Sequence, residues 1–138
     1  KGAELDEKEA ELEEKARAES EAQASAHVEM LRDCSTYASA ESAFALLGID
    51  ARLLDRRHDR CYCAACYRDA FPDVIKNDGP QEYVVPRGWV RFGLKVPAHA
   101  EVQQIWSKWC VSFHGTQHDV AKSIVDFGDV LMPGDKLP

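Results

Sequence analysis

Three cysteines within six residues, Cys61-Tyr62-Cys63-Ala64-Ala65-Cys66, constrain this chain more than any other feature of its sequence. Two thiolates separated by two residues can grip one tetrahedral ion, because the turn between Cys63 and Cys66 aims both sulfurs at a common point. Cys61 supplies a third ligand. A structural zinc site takes four, and His58, three residues before Cys61, is the nearest candidate for the last place, with Cys34 and Cys110 as the others. The tight clustering, with no export signal visible, points to metal binding in a reducing compartment, cytoplasmic or nuclear. A disulfide scaffold would spread its cysteines out. A redox Cys-x-x-Cys would sit at the mouth of a helix after a strand, and that pattern is absent. A RING finger needs eight ligands spaced for two ions, which five cysteines and five scattered histidines do not show. Plain buried cysteines are the bland alternative.

The segment before the knuckle is of another kind. Up to Met30 the chain carries ten carboxylates against four cations, which accounts for six of its seven net negative charges. The rest is close to neutral and lacks the basic footprint of a general nucleic-acid binder. Residues 3–33 are rich in Ala, Glu and Lys and free of Pro, a strongly helical composition. Leu5, Leu12 and Ala16 fit a heptad-like stripe that Glu19 and Gln23 interrupt. A solvated helix and a coiled-coil arm reaching a protein partner are both open readings. No stretch approaches the roughly 20 apolar residues that span a bilayer, so no membrane contact is expected. The expected division is 1–37 as charged helix and linker, 38–80 as a helix plus Cys-rich knuckle, and 81–138 as a further unit.

Within the later units a short helix is expected from Glu41 to Leu47, with Ala43, Phe44 and Leu47 on one face and Gly48 as its stop. Gly88 to Val96 alternates, with Val90, Phe92, Leu94 and Val96 opposed to Arg91 and Lys95, and reads as the best strand. Ala98 to Gln104 suggests a helical turn, and Trp109 to Phe113 a second strand. His118 to Phe127 suggests a helix with Val120, Ile124 and Phe127 on one face, closed by Gly128. Trp89, Trp106 and Trp109 are expected in the core. The fold class is α+β: a charged N-terminal helix, a small zinc-knuckle-like element, and a partial sheet with one helix.

The run Phe113-His114-Gly115-Thr116, a helix ending near Gly128, then Leu131-Met132-Pro133-Gly134 resembles the start of the ADP-ribosyltransferase fold of poly-ADP-ribose polymerases and RNA 2′-phosphotransferases. A longer likeness adds Cys61-Tyr62-Cys63-x-x-Cys66 and Val85-Pro86-Arg87-Gly88-Trp89-Val90-Arg91-Phe92-Gly93-Leu94. In that order the pieces resemble a carboxy-terminal module of neuralized-like proteins, over about Asp55 to Pro138. The resemblance implies an incomplete ADP-ribosyltransferase-like sheet in residues 81–138, with His114, Gly115 and Thr116 as NAD-contact residues. It also implies a later Tyr and Glu, which would follow Pro138, so no catalytic residue is assigned and the chain is expected to be a fragment without transfer activity. The residues alone leave His114 open between a structural strand-end histidine, a cofactor contact and a metal ligand. The alternative function is a non-catalytic, zinc-stabilised protein-interaction domain on a ubiquitin-ligase-type scaffold.

Overall fold

A computed structural model describes residues 2–76 and 79–128, and shows a mixed α+β architecture. Helix α1 spans Gly2–Arg32 and α2 spans Ser35–Ala45. Two single 3-10 turns, Ala51–Leu53 and Arg56–His58, lead into strand β1, Arg60–Cys61. Strands β2 (Val74–Ile75), β3 (Tyr83–Val84) and β4 (Val90–Arg91) follow, then α3 (Ala98–Val102), α4 (Ile105–Lys108) and α5 (His118–Phe127). The strands form two antiparallel ribbons, β1 with β4 and β2 with β3. Among the described residues no helix is long and apolar enough to cross a membrane.

Helix α1 is about 46 Å long at 1.5 Å per residue. Leu5 and Leu12, the beginning of the heptad-like stripe, are exposed, as is every described side chain from Leu5 to Glu19. The end of the helix is different. Val28 and Leu31 are buried beside Tyr37 and Cys61, with Cys34, Cys63, Val90 and Phe92 packed against them. His27 Nε2 donates to the Asp59 carbonyl oxygen at 2.8 Å. The last turns of α1 thus belong to the packed part of the fold, where Val28 closes the core.

α1 ends at Arg32, and the extended residue Cys34 (φ −86°, ψ 120°) stands immediately before α2. The helix expected from Glu41 starts six residues earlier, at Ser35, because the first turn is held by the packing of Tyr37 rather than by any local sequence signal. At its other end the chain turns through Leu46 and Leu47 to Gly48, whose φ of +64° suits a residue without a side chain. Phe44 stacks on Phe92 with ring centroids 4.2 Å apart, which joins α2 to the β4 segment.

The alternating stretch from Gly88 to Val96 does run antiparallel to residues 53–62, but as an interrupted strand. Near one end the Gly88 N–H donates to the Tyr62 carbonyl and the Tyr62 N–H donates to the Trp89 carbonyl, and Leu54 bridges Leu94 near the other. Between them the 3-10 turn at Arg56–His58 bows the partner away, and Asp59 fills the gap. The Asp59 side chain is fully buried. It accepts from the Tyr37 hydroxyl at 2.6 Å, from Arg56 Nε at 2.7 Å, and from the Gly93 backbone N–H at 2.8 Å. Gly93 is required here because a Cβ would fall on the Asp55 carbonyl oxygen and against His58. Glu41 completes the network by accepting from both Arg32 and Arg56 at 2.9 Å.

Two further sequence expectations are corrected. Trp109 to Phe113 is not a strand: residues 110–117 carry no regular structure. Val111 and Phe113 have the right alternation, but no neighbouring strand among the described residues takes up their backbone groups, and an isolated strand leaves those groups to water. Trp89, Trp106 and Trp109 are not core residues: they are 69%, 56% and 62% exposed. Their size favours burial, but the buried positions are taken by Val28, Leu31, Tyr37 and Cys61. Leu131 to Gly134 lie outside the described residues.

Deleting residues 1–19 is expected to leave the melting temperature unchanged, whereas deleting residues 1–29 removes Val28 and is expected to cost about 2–4 kcal/mol. Thermal melts of the two truncations separate the exposed arm from the packed end. Gly93→Ala is expected to destabilise by about 3 kcal/mol through the backbone clash, measurable by urea titration. Burial, and then the bond to Asp59, push the Tyr37 hydroxyl up to about 12. Because its folded pKa is raised, its contribution is complete below about pH 10 and is lost as pH rises towards 12. In a titration followed by tyrosine ultraviolet absorbance, one of the four tyrosines should ionise last, together with loss of the fold.

Candidate metal centre

Four cysteines from three parts of the fold meet at one point. Cys34 comes from the break between α1 and α2, where its extended backbone turns the side chain out of both helices. Cys61 is on β1, facing the core opposite exposed Arg60, as the pleat requires. Cys63 and Cys66 flank a tight turn in which the Cys63 carbonyl accepts from the N–H groups of Cys66, at 3.1 Å, and Tyr67, at 2.8 Å. The four sulfurs all lie within 4.8 Å of one another. Cys34 Sγ is 3.5 Å from Cys63 Sγ and 3.8 Å from Cys61 Sγ.

These separations fit a metal. In a tetrahedral thiolate site with metal–sulfur bonds of about 2.3 Å, neighbouring sulfurs stand about 3.8 Å apart. The donor set is complete in itself: four thiolates fill a tetrahedron and leave no position for water or substrate, the pattern of a structural site. Cys61 is buried, Cys34 and Cys63 are half-buried, and Cys66 is exposed, so the site lies at the edge of the core.

The local backbone prepares one ligand. The N–H of Cys66 points at the Cys63 sulfur and, helped by the sulfurs of Cys34 and Cys61, lowers that thiol to about 6. Burial pushes the Cys61 thiol up, and burial followed by the neighbouring sulfurs pushes the Cys66 thiol well up. A metal entering the site therefore meets a thiolate at Cys63 and must displace protons from its neighbours, which makes its affinity fall as pH falls.

The three clustered cysteines of the sequence are together, and the fourth member of the group is Cys34. His58 stands outside it: its Nε2 lies 3.7 Å from Asp55 Oδ2, and its side chain is 59% exposed. Cys110 is exposed in the irregular segment after α4 and is likewise outside the group. Cys34 is 27 residues from Cys61, and nothing in its spacing marks it as a ligand. The usable signal is the interruption of helical sequence at Asp33-Cys34, which sets a cysteine between two helices. His114, Gly115 and Thr116 are exposed in the irregular segment before α5, and the space where Gly115 would carry a Cβ is open. No family model matches the chain, and no solved structure matches it.

Cys34→Ser is expected to weaken metal binding at least about a hundredfold, the scale on which loss of even an outer-shell partner of a metal ligand reaches 10–100-fold. His58→Ala is expected to leave metal binding unchanged. Competition with a chromogenic chelator measures both, and a larger effect at His58 than at Cys34 would reverse the ligand assignment.

Proposed function

We propose that this chain is a zinc-stabilised protein-interaction module, with the ion in a structural role and the long acidic helix as a projecting arm. The observation that carries the proposal is the convergence of Cys34, Cys61, Cys63 and Cys66. Zinc is the natural occupant of an all-thiolate tetrahedral set, since hard cations prefer oxygen ligands. The small core gives the ion its purpose. The buried apolar residues are Val28, Leu31, Tyr37, Cys61, Tyr62, Val85 and Ala100 among those described, too few to order a chain of 138 residues by burial alone. Structural zinc contributes about 10–16 kcal/mol of apparent binding free energy in small modules, and that becomes folding free energy when the site exists only in the folded state.

Interaction as the output is supported by what the module exposes. Residues 5–19 of α1 form a charged surface with Leu5 and Leu12 on it, and Trp106, Trp109, Val111 and Phe113, within eight residues of chain, are all exposed. Large apolar side chains exposed together mark contact sites in soluble proteins. The order of the cysteine, Arg-Gly-Trp and His-Gly-Thr motifs agrees with a place in a ubiquitin-ligase-type scaffold of the neuralized-like kind.

Protein purified without chelator is expected to contain about one zinc per chain by elemental analysis. Removing the ion under reducing conditions should abolish the near-ultraviolet signal of the aromatic residues, and zinc should restore it. A reduced, metal-free chain that melts at the same temperature as the untreated protein would overturn the proposal.

A further inference from the structure

Arg60 and Arg91 stand directly opposite each other in the β1–β4 ribbon. Opposed residues in an antiparallel pair project from the same face, and like charges placed so destabilise the pair. Arg32, Arg52, Arg56, Arg57 and Arg87 each hold a carboxylate. Among the described residues Arg60 and Arg91 hold none. Backbone carbonyls fix them instead: Arg60 Nη1 donates to the oxygens of Arg57 and Asp59 at 3.0 and 2.7 Å, and Arg91 Nε donates to that of His58 at 3.0 Å. That leaves Nε and Nη2 of Arg60, and both terminal nitrogens of Arg91, without an acceptor among the described residues.

Both arginines line a cavity of about 420 Å³, whose other walls include Tyr62, Tyr67, Tyr83 and Ile75. Ligand sites begin at about 300 Å³, so the space suits a single side chain or a small ring. Tyr62 and Tyr67 meet edge to face at 5.5 Å. The Tyr67 hydroxyl is occupied by the Pro72 carbonyl at 2.7 Å, and the Arg87 guanidinium lies 4.9 Å from the centre of its ring, so Tyr67 is held as an aromatic wall. Three tyrosines alone would suit an alkylammonium group, but two guanidiniums at the same cavity repel one. The combination selects an anion carried on an apolar or aromatic body. A phosphomonoester brings about −1.5 to −2 charges and three acceptor oxygens, which two guanidinium forks match better than they match a single carboxylate.

We propose that this cavity binds an aryl phosphomonoester, the phosphotyrosine side chain of a partner peptide. Arg60 and Arg91 clamp the phosphate and the tyrosine walls pack the ring. The phosphate removes the repulsion between the two arginines, so the ligand stabilises the ribbon that binds it. Because Cys61 and Cys66 also line the cavity, the inference rests on the metal-held knuckle proposed above.

The test is calorimetric titration of the zinc-loaded full chain with phenyl phosphate, N-acetyl-phosphotyrosine amide, inorganic phosphate and N-acetyl-tyrosine amide, with zinc content measured on the same sample. The two aryl phosphates should bind at least about tenfold more tightly than inorganic phosphate, and the unphosphorylated amide should not bind. Arg91→Gln, which removes a charged clamp, should weaken the aryl phosphates about tenfold or more, and Arg91→Lys should weaken them less, with zinc content unchanged in both. Ile75→Trp, which narrows the cavity without changing charge, should weaken the aryl phosphates but not inorganic phosphate. Equal binding of inorganic and aryl phosphates would overturn the proposal, as would binding of the unphosphorylated amide, or no binding to a chain that carries one zinc. A folded chain without zinc would instead overturn the metal reading.

Discussion

The Asp59 carboxylate is the point on which the packed part of this protein depends. A carboxylate taken fully out of water is tolerated only where donors replace its hydration. Tyr37 brings α2, Arg56 brings the 3-10 turn, and the Gly93 N–H brings the β4 segment, while the Asp59 carbonyl takes the end of α1 through His27. Four segments are thus located by one residue. Each donor is specific in direction, so this centre sets geometry in a way that a core of so few apolar side chains cannot set by shape alone. Gly93 shows how tight the arrangement is, since its backbone enters the loop 55–59 where no side chain fits.

Two residues beyond Asp59 the chain reaches Cys61, and the group of four cysteines that could hold a metal ion forms the second organising point. The two centres share their surroundings: Tyr37 and Cys61 belong to the same buried cluster, and Cys34 packs against it. They divide the work by chemistry. The carboxylate network draws α2 and the interrupted strand together through directional hydrogen bonds, and the four cysteines bring the end of α1 and the Cys63–Cys66 turn to one point where a metal ion could hold them. Glu41 adds an outer link between Arg32 at the end of α1 and Arg56. Its hydrogen bond to Arg32 foremost holds the Glu41 carboxyl below the usual carboxylate range. That link is intact above the ordinary carboxylate pKa of about 4.3, and is lost as pH falls through the lower folded value.

Local chemistry was legible in the sequence and distant convergence was not. Three of the four converging cysteines stood in one hexapeptide, and the long helix, its composition and the helix His118–Phe127 with its Gly128 stop could be read from residues in order. Cys34 appeared only as one candidate for the fourth place, because its role comes from a break between helices and not from spacing to the other cysteines. His58 was the nearer choice in sequence, but the 3-10 turn directs it to Asp55. The three tryptophans were misplaced because hydrophobicity reports what a side chain prefers and not whether the fold offers it a site. Asp59 gave no signal at all: in the run Asp55-Arg56-Arg57-His58-Asp59-Arg60 it looks like one more solvated charge, and only Tyr37 and Gly93, far away in the chain, make it a buried hub.

The placing of Cys34 at the joint between α1 and α2 has a mechanical consequence. With a metal ion in the cysteine group, a coordinate bond at the base of a helix about 46 Å long would fix the direction of the whole arm, as a set-screw fixes a lever. A tilt of about 10° at that joint would carry the far tip sideways by about 8 Å over this length, more than one helical turn. Ligand geometry measured in tenths of an ångström at the sulfurs would then decide where, in the space around the protein, an acidic surface some fifteen residues long is presented. Anything that changes how those four sulfurs are held would redirect that surface without touching a residue on it.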